Sequence, residues 1–286
     1  MSNSWQFLHT RHPRNWRENK FAYPVLSRRS KGISLGVNLN PDKVCNFDCI
    51  YCQVDRRSEA ETKFVETDRL LAEIDHLLGL IAGGGLFSDE SFREAPLDRR
   101  RLNDIAFAGD GEPTTYRNFD EIISDVAELK RERGLDEVKL VLITNASMFH
   151  KKAVERGLAI LDANNGEIWA KLEAGTDEYY QLVERTKVPF QRVIDNITAA
   201  AKVRALVIQS LFMRIAGNAP PDAEIDAFCR RLSDISDAGG KLKLVQVYTV
   251  ARPPAESFVT PLTVPELESI AAKVRNLGIP AEVFGS

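Results

Sequence analysis

Three cysteines lie within eight residues of this chain, at Cys45, Cys49 and Cys52. Thiolates at this spacing on one short loop can each bind one iron of a [4Fe–4S] cluster. Such clusters normally take four protein thiolates, so one iron would here stay open to another molecule. A structural zinc site is the alternative, although zinc prefers four closed ligands, usually as two separated pairs. The remaining cysteine, Cys229, lies in a helical pattern far along the chain and is predicted to be a core thiol.

Length and composition place the chain among single-domain proteins. Its 286 residues, 44% of them hydrophobic, are enough for one α/β domain of barrel size. The sequence contains no run of 18 apolar residues, and its polar start lacks the apolar core of a signal peptide. Three clustered cysteines do not form a disulfide framework and suit a reducing compartment. We therefore expect a cytoplasmic protein that does not contact a membrane.

Charge is unevenly distributed along the chain, although the formal net charge is only −3. Residues 1–31 carry seven lysines and arginines against one acidic residue, so the remainder is acidic. A basic arm of this kind can contact nucleic acid, or it can lie across the acidic domain. The aromatic residues between Trp5 and Tyr23 favour docking on protein. We predict a basic arm of residues 1–31 followed by one domain of residues 32–286.

Apolar segments rich in β-branched residues alternate with segments of helical period. The predicted strands are residues 33–39, 104–108, 138–144, 167–172, 205–214 and 241–250. The predicted helices are residues 69–81, 119–129, 186–203 and 222–237, with a last helix that begins at a capping box at Thr263. Strands that alternate with helices indicate a parallel sheet covered by helices. Six such units are too few for a closed eight-stranded barrel, and they predict an α/β fold with an open, partial barrel.

Two motifs resemble those of a known family. The cysteine loop, with the aromatic Tyr51 directly before its last cysteine, resembles the cluster loop of the radical S-adenosylmethionine (SAM) superfamily. The segment GDGEPT at residues 109–114 follows an apolar run and is similar to the glycine-glutamate turn of that family. The resemblance implies a partial (β/α)6 TIM-like barrel and one [4Fe–4S] cluster whose open iron is chelated by SAM.

Both motifs follow predicted strands directly, the cysteines after the first and the GDGEPT segment after the second. In parallel α/β folds, functional residues gather in the loops at the carboxyl ends of the strands. We therefore expect both motifs at the same edge of the sheet. This expectation follows from the order of the elements, independently of the motifs themselves.

The resemblance also implies which residues surround SAM. The candidates for cofactor binding are Tyr51, Gly109, Gly111, Glu112, Pro113, Asn145, Lys171 and Glu173. The turn would meet the amino group of SAM, the later polar residues its ribose and carboxylate, and Tyr51 its adenine. Five of them have a structural alternative. Glu112 could complement the dipole of the next helix, and Tyr51 could be a packing residue. Asn145, Lys171 and Glu173 could have helix-cap or salt-bridge roles.

The activity implied by the resemblance is reductive cleavage of SAM to a 5′-deoxyadenosyl radical that abstracts hydrogen from an unidentified substrate. A flavodoxin or ferredoxin would supply the electron. The stretches 34–55 and 245–254 look most like the branch of the wyosine-forming tRNA enzymes, so RNA is one candidate partner. However, the further clustered cysteines of its archaeal members and the flavodoxin domain of its eukaryotic members are both missing. A non-catalytic iron–sulfur or zinc scaffold is the other alternative.

Overall fold

The computed structural model describes residues 16–56, 58–60 and 62–285. The part of the predicted arm before Trp16, including Trp5, lies outside the described residues. The chain divides into two compact units, which are described separately. The first comprises the described parts of Met1–Val44, Ser58–Leu142 and Ala153–Glu167, and the second those of Cys45–Arg57, Ile143–Lys152 and Ile168–Ser286.

The first unit is built on a short run of strands with helices between them. Its strands are β1 (Ala22–Ser27), β2 (Gly32–Val37), β3 (Leu102–Phe107) and β4 (Lys139–Thr144), and its helices are α1 (Thr67–Ala82), α2 (Phe119–Glu132) and α3 (Lys152–Ala163). Strands β2, β3 and β4 run parallel in that order, and β1 pairs antiparallel with β2. The last two residues of β4 and the first of α3 belong to the second unit.

Helix α1 shows why these segments fold as predicted. Leu70, Ile74, Leu77 and Ile81 recur at helical spacing and are buried, and the helix ends at Gly83. Such a stripe on one side of a helix stabilises it by removing apolar surface from water. The segment between α1 and β3 contains two short 3₁₀ helices, Gly85–Ser88 and Leu97–Arg99.

The second unit continues the alternation of strands and helices. Its strands are β5 (Gly166–Lys171), β6 (Leu206–Leu211), β7 (Met213–Ile215), β8 (Leu242–Tyr248), β9 (Val259–Pro261) and β10 (Ala281–Phe284). Its helices are α4 (Asp177–Glu184), α5 (Phe190–Val203), α6 (Asp222–Asp237) and α7 (Val264–Arg275). Strands β5, β6, β8 and β10 are parallel in that order, and β7 pairs antiparallel with β9. The first residues of β5 belong to the other unit.

All six predicted strands occur, each followed by a helix, and α7 begins with the expected capping box between Thr263 and Glu266. Three details differ from the sequence analysis. The segment 205–214 is divided at Phe212 into β6 and β7. The helices α3 and α4 were not predicted, and neither were the strands β1, β9 and β10. Strand β1 contains Pro24, which removes a backbone donor. The proline is tolerated because, among the described strands, β1 pairs only with β2.

The predicted boundary between arm and domain stays a prediction. Strand β1 lies within residues 1–31 and shares its ladder with β2, so the described part of the arm includes sheet structure. Among the described residues, no helix combines the length and the apolar character needed to cross a membrane.

Candidate functional site

The loop that carries the three cysteines is fixed to the end of helix α4 within the second unit. The amide of Asp48 donates to the carbonyl of Glu184 at 3.1 Å, and that of Ile50 donates to the carbonyl of Val183 at 2.9 Å. The hydroxyl of Thr186 donates to the carbonyl of Asn46 at 2.8 Å. Ile50 is buried in an apolar cluster that includes Val183. The loop conformation therefore depends on a helix far away in sequence.

Cys45, Cys49 and Cys52 are free thiols, and each is half-buried. Within the described ranges, no three His, Cys, Asp or Glu side chains converge to hold one metal ion. An iron–sulfur cube does not require such convergence, because each thiolate binds a different iron. Three thiols on one loop are the donor type that such a cube requires. As predicted, Cys229 is a buried thiol in α6.

Arg56 follows the last cysteine by four residues and contacts the loop at several points. Its Nη1 donates to the carbonyl of Phe47 at 3.1 Å, and its Nη2 lies 3.6 Å from Sγ of Cys52. The charge of Cys45 also acts on the guanidinium. Burial lowers the pKa of Arg56, but the charges of Cys52 and Cys45 outweigh this effect and raise it overall. Arg56 is a functional candidate that the sequence analysis missed.

Lys171, Glu173 and Tyr51, all predicted to contact SAM, meet beside the cysteine loop. The Tyr51 hydroxyl donates to Oε1 of Glu173 at 3.0 Å and accepts from Nζ of Lys171 at 3.3 Å. The Lys171 ammonium also lies 5.0 Å from the centroid of the Tyr51 ring, within the range of a cation–π interaction. Tyr51 and Glu173 are buried, and Tyr51 packs in the same apolar cluster as Ile50 and Val183.

Glu184 completes this group, which we call the buried acid cluster: Tyr51, Lys171, Glu173 and Glu184. Burial raises the pKa of Glu173 well above its ordinary value, and the adjacent Glu184 raises it further. Burial also raises the pKa of Glu184. The thiol of Cys49 donates to Oε2 of Glu184 at 2.7 Å, and burial, then the charge of Glu184, raises the pKa of Cys49. The single positive charge of Lys171 cannot balance two carboxylates, so this arrangement favours a proton on Glu173 or Glu184.

Asn145 also lies beside the cysteine loop, at the end of β4. Its Nδ2 donates to Oδ1 of Asn46 at 3.0 Å, and its own Oδ1 accepts from the amide of Ser147 at 3.1 Å. Asn46 in turn donates to the hydroxyl of Ser147 at 2.7 Å. Asn145 is buried and holds the turn that follows β4 against the cysteine loop.

The GDGEPT segment follows β3 in the first unit. A Cβ atom on Gly111 would collide with the carbonyl of Val44 and lie 2.7 Å from Cβ of Asn40, so only glycine fits there. Gly109 is similarly close to Asn38. The turn is therefore shaped by close packing of its glycines against the chain after β2.

Glu112 and Pro113 form the start of a short 3₁₀ helix, Pro113–Thr115. The Glu112 carboxylate accepts from the amide of Thr114 at 3.2 Å and from its hydroxyl at 2.5 Å. Glu112 thus caps this short helix through Thr114, and its predicted part in binding SAM stays a prediction. Asp110 accepts from Nδ2 of Asn38 at 2.8 Å.

The sequence analysis named most of these residues as candidates, but it missed Glu184 and Arg56, which contact the cysteines. Cys45, Cys49, Cys52, Tyr51, Asn145, Lys171 and Glu173 all belong to the second unit, and the GDGEPT turn belongs to the first. Glu184 is 135 positions from Cys49, at the end of an unpredicted helix. No local pattern could indicate it. Arg56 could have been noticed as a cation close to the cysteines.

Comparison with known proteins identifies the class. The model of the radical SAM superfamily matches residues 39–232. A UPF0026 protein of Helicobacter pylori is 30% identical over 142 residues, which are 49% of this chain and 39% of that protein. The chain matches only 23% to 39% of the length of the first four curated relatives.

Solved structures show the same fold at low identity. A radical SAM methyltransferase from Sphaerobacter thermophilus aligns with a TM-score of 0.64 and 14% identity, over 93% of this chain and 69% of that one. A structure of TYW1 with a lysine-pyruvate adduct covers 94% of this chain and 81% of its own, with a TM-score of 0.49 and 16% identity. Likeness at that level does not discriminate between branches.

This chain belongs to the radical SAM superfamily, because the family model covers more than half of it. The predicted fold class, an α/β fold of the partial (β/α)6 type found in radical SAM proteins, is confirmed by the alignment with the methyltransferase. The superfamily consists of enzymes, so the chain is an enzyme by class.

Proposed function

We propose that this protein binds one [4Fe–4S] cluster through Cys45, Cys49 and Cys52 and reductively cleaves SAM. A cluster held by these three thiolates would supply the electron for cleavage of SAM to methionine and a 5′-deoxyadenosyl radical, which would abstract hydrogen from a C–H bond of the substrate. One observation carries this proposal: three free, half-buried thiols lie on a single loop that is fixed to α4 at both Asp48 and Ile50. Membership of the superfamily supports it.

The surrounding residues have complementary tasks. The hydrogen bonds of the loop hold the three thiols in place before any ligand binds, which lowers the entropy that binding must overcome. Arg56 places a positive charge against two of the sulfurs. A thiolate binds iron, and nearby cations favour the thiolate form.

SAM presents a cationic amine, a carboxylate, ribose hydroxyls and an adenine. We assign the backbone of the turn at Gly109, Gly111, Glu112 and Pro113 to the amine, because the close packing of Gly111 and the cap by Glu112 fix that backbone. Lys171 is the cation of the buried acid cluster and suits the carboxylate. Glu173 and Asn145 offer acceptors for the ribose, and Tyr51 an aromatic face for adenine.

The substrate, the reductant and the compartment belong to the proposal as well. We expect a flavodoxin or ferredoxin to deliver the electron and the protein to work in the cytoplasm, where free thiols persist. RNA stays the substrate class suggested by the sequence resemblance. Its test is binding of tRNA at increasing salt, because contacts with phosphates release counterions and weaken steeply as salt rises. Binding of tRNA that does not depend on salt, or no binding at all, would rule out RNA as the substrate.

The decisive experiment is anaerobic reconstitution with iron and sulfide, followed by SAM and dithionite. We expect about four irons per chain and formation of 5′-deoxyadenosine. Substitution of Cys45, Cys49 or Cys52 by serine should abolish both the iron content and the formation of 5′-deoxyadenosine. Cys229→Ser should retain both, because Cys229 is buried in α6 and is not part of the cysteine loop. Binding of zinc without turnover of SAM would instead identify a scaffold.

A further inference from the structure

Arg56 has contacts that the proposed function does not by itself require. Its guanidinium hydrogen-bonds Sγ of Cys52, and it also donates to the carbonyl of Phe47, which lies between the first two cysteines. Its Nε is buried and has no hydrogen-bond partner among the described residues. A buried donor without an acceptor is rare and calls for an explanation.

A guanidinium is permanently charged and presents five donors in a fixed, planar arrangement. The charge and the hydrogen bonds around cluster sulfurs are among the factors that set the reduction potential of an iron–sulfur centre. Reduction adds one electron and makes the centre more negative. A cation in contact with one of its thiolates therefore stabilises the reduced form more than the oxidised form, which raises the potential.

We propose that Arg56 is a positioning residue that raises the reduction potential of the cluster held by Cys45, Cys49 and Cys52. This inference rests on the proposed function. The free Nε fits it, since a bound cluster would bring further sulfur acceptors to the same loop. Other charged side chains of the loop, Asp48 and Asp55, are exposed, so solvent screens them more strongly than Arg56, which is half-buried.

The test is a potentiometric titration of the reconstituted protein, followed by the electron paramagnetic resonance signal of the reduced cluster. Two variants separate charge from geometry: Arg56→Gln removes the charge, and Arg56→Lys keeps it. Arg230→Gln is the matched control, because it removes one positive charge from an exposed position in α6 of the same unit. Iron content and the visible spectrum establish that each variant carries the cluster.

We expect Arg56→Gln to lower the ratio of reduced to oxidised cluster about tenfold at a fixed solution potential, which corresponds to about 59 mV for one electron. Arg56→Lys should retain most of the wild-type potential, and Arg230→Gln all of it. An unchanged potential in Arg56→Gln, or an equal decrease in Arg230→Gln, would overturn the inference.

Two further outcomes distinguish the inference from the proposed function. A wild-type protein that takes up no iron and sulfide refutes the proposed function itself. If the wild type binds the cluster but neither Arg56 variant does, while both remain folded by circular dichroism, then Arg56 serves only to build the loop and the effect on the potential is refuted.

Discussion

The thiol of Cys49 donates a hydrogen bond to the carboxyl group of Glu184 across 2.7 Å. The same glutamate accepts from the amide of Asp48 through its backbone carbonyl, so it holds the cysteine loop at two points. Glu184 is buried, and its charge acts on Glu173. One residue of α4 thus links the cysteine loop to the buried acid cluster.

Glu184→Gln should reduce the pH dependence of stability of the metal-free protein. Burial raises the pKa of Glu184 above its ordinary 4.5, so the folded chain holds a proton that the unfolded chain has released. The stabilisation is complete below the unfolded pKa and is lost as pH rises through the folded pKa. One retained proton corresponds to about 1.4 kcal/mol per pH unit within that window.

The measurement is the free energy of unfolding in urea between about pH 5 and about pH 8. We expect the decrease of stability over this range to be smaller in Glu184→Gln than in the wild type. Glu178→Gln is the control, since Glu178 is exposed in the same helix and should leave the slope unchanged. An identical slope in wild type and Glu184→Gln would show that Glu184 is ionised in the folded state.

Glu73→Gln should destabilise the first unit by about 2–3 kcal/mol. The buried carboxylate of Glu73 accepts from the amides of Lys20, Phe21 and Ala22 at 2.9, 2.8 and 3.0 Å. It also accepts from Nε of Arg69 at 2.9 Å. Glutamine would turn an NH₂ group toward these donors and remove the charge that strengthens the bonds.

Urea denaturation measures this loss, and amide hydrogen exchange localises it. The amides of Phe21 and Ala22 should exchange faster in Glu73→Gln than in the wild type. Glu128→Gln, an exposed change in α2, is the control and should alter neither quantity. Unchanged exchange at both amides would mean that the hydrogen bonds to Glu73 do not stabilise the start of β1.

Gly111→Ala should destabilise the protein by about 1–3 kcal/mol, because its Cβ would press against the Val44 carbonyl and the Asn40 side chain. Gly79→Ala is the matched comparison: its Cβ would meet nothing within 4 Å, and it lies inside α1. Alanine there should stabilise the protein by about 0.5–1 kcal/mol. Thermal unfolding of both variants decides. A neutral Gly111→Ala would show that the turn yields easily, and SAM binding should then survive too.

Local sequence was sufficient to predict the main elements of the fold. The apolar stripe of α1, the capping box at Thr263 and the β-branched strands occur as expected, because each depends on residues within a few positions of one another. Strands β1 and β10 were missed. Pro24 argues against a strand by itself, and β10 has only four residues, so pairing with β2 and β8 decides both.

The candidate site divides in the same way. The sequence by itself determined the donor chemistry, because three cysteines at fixed spacing stay close in any conformation of their loop. The glycines of the GDGEPT turn likewise indicate a backbone that approaches other atoms closely. Only the tertiary structure decided that Glu184 meets Cys49, that Glu173 and Lys171 meet at the hydroxyl of Tyr51, and that Arg56 points back to the thiols. Apart from that of Arg56, these contacts join residues more than 100 positions apart, and burial gives them their shifted pKa values. Neither the approach nor the burial exists until the strands have paired and the helices have packed.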